Sequence, residues 1–131
     1  MSEELVRYSV ADGVAHIELN RPEVSNSVDM ATAEAMVAAV QRAADDDAVK
    51  AVLLSGAGKR FCAGGDVASM VVADDQAGYL HALALKLDDA AQRLDALDKP
   101  VVCAVQGAVA GAGNSLMLEA DVIVAAESTK F

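Results

Sequence analysis

The sequence predicts an α/β fold with parallel connections between its strands, and three observations predict it. Segments of strand period and helix period alternate along the 131 residues. Two of the strand segments, "VKAVLLSG" and "KPVVCAVQG", are short continuous apolar runs, the pattern of strands buried inside a parallel sheet. Hydrophobic residues make up 54% of the chain against 23% charged, enough to fill the core of about one domain.

At the N-terminus, "LVRYSVADGVAHIELN" alternates on both sides of Ala11-Asp12-Gly13, which predicts a hairpin. "RPEVSNSVD" reads as a loop, because Pro22 restricts Arg21 and the asparagine and serines supply turn chemistry. From Met30 to Asp45, apolar Ala33, Met36, Val37, Val40 and Ala44 recur at spacings of three and four, an amphipathic helix with Asp29 as its N-cap. "VKAVLLSG" follows as a strand expected to be buried on both faces. A short helical piece begins at "VASM", and Asp66 before it is placed as a turn or N-cap acid or as a ligand contact.

A second long helix is predicted over Gln76 to Leu97, with the stripe Leu80, Leu83, Leu87, Ala91, Leu94 and Leu97. Pro100 then starts another buried strand that ends at Gly107. A glycine-rich turn opens a helix from about Ala112 to Glu119, and "DVIVAAE" is the last strand. No internal repeat or linker interrupts this order. A final buried strand followed only by "STKF" leads us to expect the front part of a larger fold.

Ten basic residues against 20 acidic ones give a net charge of -10, which repels a phosphate backbone and sets nucleic-acid binding aside. "MSEELVRYSV" has no basic segment leading into an apolar run, and no stretch approaches ~18 uninterrupted apolar residues. A cytoplasmic protein without membrane association is expected. Cys62 and Cys103 form no CxxC and have only His16 and His81 as possible co-ligands, neither at zinc-site spacing, so buried free thiols and no metal are expected. His16 lies within the second strand, and His81 lies off the helical stripe.

Two glycine-rich stretches, "FCAGGD" and "AGAGNSL", invite functional readings that can be tested one by one. A phosphate loop fails at Gly58-Lys59, since Leu53 and Arg60 occupy its required glycine and hydroxyl positions. The dinucleotide pattern fails at both stretches, where Phe61 and Leu116 replace the third glycine. A serine nucleophile at Ser115 fails because Met117 replaces the second glycine of its elbow. What remains is a shared construction, an apolar strand running into a turn of small residues, of which the second opens a helix. Small residues let a ligand approach the backbone, and the first N–H groups of a helix are unpaired. Two such turns brought together would offer two N–H donors to one oxygen, which is how an oxyanion hole is built.

The series "IELNRPEVSNS", "AVLLSGAGKRFCAGGD" and "KPVVCAVQGAVAGAGNSLMLEADVIVAAESTKF" resembles the enoyl-CoA hydratase/isomerase (crotonase) superfamily from about Val14 to Phe131. The resemblance implies the N-terminal portion of a crotonase-like ββα spiral core, residues 1–131 being part of an acyl-CoA-binding domain that lacks the family's C-terminal helical part. It implies that the backbone N–H groups of Gly65 and Ala112 polarise a thioester carbonyl and hold the enolate. It also implies that Glu23, Val24, Ala63, Gly64, Gly65, Asp66 and Val67 line the loops around coenzyme A, with Cys62 packed beneath. No cofactor is implied beyond the coenzyme A of the substrate, and a homo-oligomer, trimer or hexamer, is expected from the family.

Hydratases of that family carry a glutamate where this chain has Ser115 and a second one shortly beyond the position of Phe131. Serine does not perform a carboxylate's proton transfer near neutral pH. Glu119 lies one helical turn further on, about 6 Å along the axis. The stretch from Ala110 onward most resembles the phenylacetate-pathway isomerase-type branch, and one carboxylate suffices to move a double bond. An acyl-CoA isomerase with its acid/base beyond residue 131 is therefore expected. The alternatives are an enoyl-CoA hydratase, a CoA-thioester-binding protein without turnover, and an inactive fragment.

Overall fold

In the computed structural model, which describes residues 4–131, Asp12 and Gly13 both take positive φ, 52° and 79°. That backbone closes a two-residue turn whose twist matches its flanking strands. It joins β1 (Val6–Ala11) to β2 (Val14–Leu19) antiparallel, with Ala11 opposite Val14 and Val6 opposite Leu19. A single 3₁₀ turn at Pro22–Val24 leads into α1 (Met30–Asp45), the span its periodicity predicts. The Asp29 side chain accepts from the Thr32 N–H at 2.8 Å and caps the helix. Its core face carries Ala33, Met36 and Val40 as expected, together with Thr32, Ala39 and Ala43. Ala44 is exposed and Val37 only partly buried, because the buried row steps to Ala43, three residues after Val40.

The remaining elements are β3 (Ala51–Gly56), α2 (Val67–Val72), α3 (Gln76–Asp95), β4 (Val101–Val105), α4 (Ala112–Met117) and β5 (Val122–Ala125). The five strands form one sheet in sequence order, parallel from β2 onward. Ile17 stands opposite Leu54, and Leu54 opposite Cys103, so one buried row crosses the sheet beneath α1 and α3. α1 and α3 also pack on each other.

Burial on both faces of the apolar strands does not hold among the described residues. Ala15, Ile17, Leu19, Val52, Leu54, Val101, Cys103 and Val105 are buried, but the alternate residues His16, Leu53, Ser55, Val102 and Ala104 are only partly covered. β5 is exposed along its length. The helices α1 and α3 cover one face, so period two governs exposure even in strands of apolar composition.

The second long helix ends at Asp95 rather than Leu97, with Ala96 as its C-cap. Leu83, Ala91 and Leu94 of its stripe are buried, and Leu87 and Leu97 are packed against the core. Leu80 is 50% exposed because it faces a cavity instead of the core. No helix of the described residues is long and apolar enough to cross a membrane.

Candidate active site

The two glycine-rich turns meet. Beyond β3, Cys62 forms a parallel bridge with Val109 beyond β4, and the Ala110 N–H donates to the Cys62 carbonyl at 3.1 Å. Gly113, in the first turn of α4, makes this approach possible: a Cβ there would lie 2.4 Å from the Cys62 carbonyl oxygen. The first turn is tied on its other side to the loop before α1. Val28 donates to the Gly64 carbonyl and receives from the Asp66 N–H, both at 2.9 Å, and the Ala63 N–H donates to the Ser25 carbonyl at 3.0 Å.

Several N–H groups of this mesh, those of Gly111 and Asn114 among them, donate to no acceptor among the described residues, but two such donors also line a cavity. The N–H groups of Ala63, Asp66, Ala110 and Gly113 all donate to backbone acceptors, whereas those of Gly65 and Ala112 have no acceptor among the described residues. Gly65 and Ala112 line the same cavity of about 540 Å³, bounded also by Leu83, Leu87 and Leu116. Two unpaired backbone donors beside one cavity can hold a developing anionic oxygen, each worth on the order of ~3 kcal/mol in a transition state. Alanine suits position 112, because the left-handed φ of this turn falls on Gly111 (52°) and not on Ala112. Ala112 begins α4, where its N–H has no intrahelical partner.

The structure gathers only some of the predicted site residues. Ser115 lines the cavity, but its hydroxyl turns back toward the Gly111 carbonyl at 3.4 Å. Asp66 caps α2 through the Ala68 N–H at 3.1 Å and pairs with Arg21 at 3.3 Å, so its carboxylate is engaged by protein groups. Gly64 is buried in the turn, and Cys62 lies fully buried beneath it. Ala63 and Val67 are exposed beside Gly65. Glu23 and Val24 stand exposed on the 3₁₀ turn and do not line the cavity.

Two residues that hold this region together, Asn26 and Arg21, were not singled out for it by sequence reasoning. Asn26 is buried; its carbonyl accepts from the Arg21 N–H at 2.7 Å, and its amide donates to the Ala57 and Arg60 carbonyls at 2.8 and 2.9 Å. It thereby ties the loop before α1 to the segment after β3. Arg21 donates to the Ser27 carbonyl at 2.6 Å and bridges Asp29 and Asp66. The available signal was an arginine, an asparagine and an aspartate close together around a proline turn.

Burial alone would raise the Asp29 carboxyl. Hydrogen bonds from the Thr32 hydroxyl and N–H, with the positive charge of the Arg21 guanidinium, outweigh it and hold the group below the ordinary aspartate range. A depressed carboxylate contributes stability above its unfolded pKa, near ~4, and loses it as pH falls through the folded value. Denaturant titration should therefore show stability falling below about pH 4, with a smaller acid-limb slope in Asp29→Asn.

Burial pushes the Cys62 thiol up, although a backbone hydrogen bond with Gly64 opposes it, and pushes Cys103 up to about 12. Both are buried free thiols, so neither is a nucleophile near neutral pH. Mass spectrometry after maleimide treatment at pH 7.5 should find both unlabelled until denaturant is added; rapid labelling of folded protein at Cys62 would show that the turn opens. Among the described residues, no three His, Cys, Asp or Glu side chains come together as a metal-ligand set.

The sequence and the fold have counterparts among known proteins. The chain is 37% identical over 134 residues to a Rhodobacter capsulatus protein named "Probable enoyl-CoA hydratase", covering 100% of this chain and 49% of that protein. It is 37% identical over 132 residues to the 1,2-epoxyphenylacetyl-CoA isomerase of Escherichia coli, covering 98% of this chain and 50% of the relative. A solved Pseudomonas aeruginosa structure superposes with a TM-score of 0.89 at 37% identity, over 95% of this chain and 54% of its own. The chain thus spans about half the length of the curated relatives it matches. The enoyl-CoA hydratase/isomerase profile matches residues 9–131, nearly the whole sequence, and the chain belongs to that family.

Proposed function

We propose that the protein acts on acyl-CoA thioesters by holding the enolate oxygen between the N–H groups of Gly65 and Ala112, and that it shifts a double bond rather than adding water. The observation that carries this reading is the pair of unpaired donors lining one cavity. Removing a proton from the carbon beside a thioester leaves negative charge on the carbonyl oxygen, where two fixed dipoles stabilise it without reorganising. Isomerisation is favoured because Ser115 offers a hydroxyl at the cavity wall where hydration would need a second carboxylate. The acid/base residue is proposed to come from sequence beyond residue 131, in the half of the fold that the relatives carry in addition.

Coenzyme A enters as part of the substrate, along the wall that the Ser25–Ala63 hydrogen bond builds from two loops. Glu23 and Val24 supply one side of that wall, and Ala63, Asp66 and Val67 the other. A trimer or hexamer of the full-length protein is part of the same proposal and is checked by light scattering.

The test is incubation of full-length protein with a 3-enoyl-CoA while the absorbance of the conjugated 2-enoyl thioester is followed. The expected result is conversion, with hydration of the 2-enoyl product much slower. Rapid hydration would assign the protein to the hydratases, and tight thioester binding with no turnover would make it a binding protein.

A further inference from the structure

With the thioester carbonyl at Gly65 and Ala112, the acyl chain would run into the cavity they line, which is apolar along α3 and α4 with three exceptions. Asp88, Ser115 and Glu119 also line it. The Asp88 carboxylate accepts from the Gln92 amide at 2.5 Å, whereas the Glu119 carboxylate has no donor among the described residues. Ala112 and Ser115 lie on α4, and Glu119, two residues past its end, continues the helical winding for a further turn, its N–H donating to the Leu116 carbonyl at 3.2 Å, so the spacings of three and four bring all three to the cavity. With a rise of 1.5 Å per residue, Ser115 lies about 4.5 Å beyond Ala112 and Glu119 about 10 Å beyond it. An extended chain advances roughly 1.3 Å per carbon, given C–C bonds of about 1.5 Å. Ser115 therefore stands beside the reacting carbons, and Glu119 beside the chain well past them.

We propose that Glu119 is a specificity-determining residue that selects thioesters whose acyl chain carries a hydrogen-bond donor, such as a hydroxyl, at roughly the sixth to eighth carbon. The inference rests on the reading of the cavity as the acyl site. A plain alkyl chain laid over Glu119 strips water from a carboxylate and gives nothing back, which is costly. A hydroxyl restores a charge-assisted hydrogen bond. The remaining surroundings add to this demand: burial holds the Glu119 carboxyl above its usual range, and Asp95 and Asp88 push it the same way. The neighbouring Leu83, Leu87 and Leu116 supply no donor of their own.

Calorimetry with the full-length protein tests the inference independently of turnover, using octanoyl-CoA and 8-hydroxyoctanoyl-CoA as unreactive probes. The hydroxylated thioester should bind about tenfold more tightly, the size expected of one hydrogen bond to a charged group. Glu119→Leu should reverse the preference, while Glu119→Gln, which keeps an acceptor, should retain its sign. Glu119 is only partly buried and makes no side-chain hydrogen bond among the described residues, so both variants should fold. Equal affinities in the wild type, or a hydroxyl preference that survives in Glu119→Leu, would overturn the inference and leave the isomerase reading standing if 3-enoyl-CoA is still converted. Failure of both probes to bind would overturn the acyl-site reading together with it.

Discussion

Gly113→Ala is expected to lower stability by about 3 kcal/mol and to abolish thioester binding. The added Cβ would sit 2.4 Å from the Cys62 carbonyl oxygen, 2.9 Å from its Cβ and 3.2 Å from its carbonyl carbon. Because the first and third of these are backbone atoms, no rotamer relieves the clash. The two turns must separate, and the hydrogen bond from the Ala110 N–H to Cys62 is strained or lost with them. Overpacking costs about 1–3 kcal/mol, and one weakened hydrogen bond adds roughly 1. Urea unfolding should show a lower midpoint at unchanged slope. Gly65→Ala is the contrasting variant. Its Cβ would meet only the flexible Met70 Cε, at 2.8 Å, and its midpoint should correspond to a change within about 0.5 kcal/mol. A Gly113→Ala protein as stable as the wild type would mean that the turns are not held this close.

Ala112→Pro should reduce kcat by about 100- to 1,000-fold while leaving the fold in place. Proline removes the backbone N–H and nothing else that the helix uses, because Ala112 is the first residue of α4 and donates to no carbonyl. The preceding residue is Gly111, which has no Cβ for the ring to collide with. Ala112→Gly keeps the donor and should remain within a few-fold of the wild type, so the two variants separate loss of the N–H from change at the position. Steady-state kinetics together with a melting curve for each variant distinguish the cases. Proline and glycine variants of equal activity would show that the Ala112 N–H takes no part.

These expectations draw on features of unequal legibility in the sequence. The span of α1 and its Asp29 cap were readable because periodicity and capping are local properties of a dozen residues. The Asp12-Gly13 hairpin was readable for the same reason. Small residues at "AGG" and "GAG" announced that backbones approach something closely. They did not say that Gly113 is the residue pressed against Cys62, since that contact joins segments distant in sequence.

Arg21 and Asn26 were read as turn residues because their partners, Asp66 and the carbonyls of Ala57 and Arg60, are also far along the chain. Burial of β3 on both faces was misjudged from composition. An apolar run describes the strand alone, whereas exposure of Leu53 and Ser55 depends on what packs above them. Leu80 shows the same limit: its spacing fits the core stripe, yet it faces the cavity.

The central claim is that a thioester carbonyl is held by two backbone donors, and vibrational spectroscopy reads that bond directly. A saturated acyl-CoA labelled with carbon-13 at the thioester carbonyl, bound to the full-length protein, should show its carbonyl stretch displaced to lower frequency than in water. Ala112→Pro should reverse roughly half of that displacement, one donor of two having been removed. A bound carbonyl that absorbs at its aqueous frequency, or a displacement identical in the proline variant, would contradict the assignment of Gly65 and Ala112.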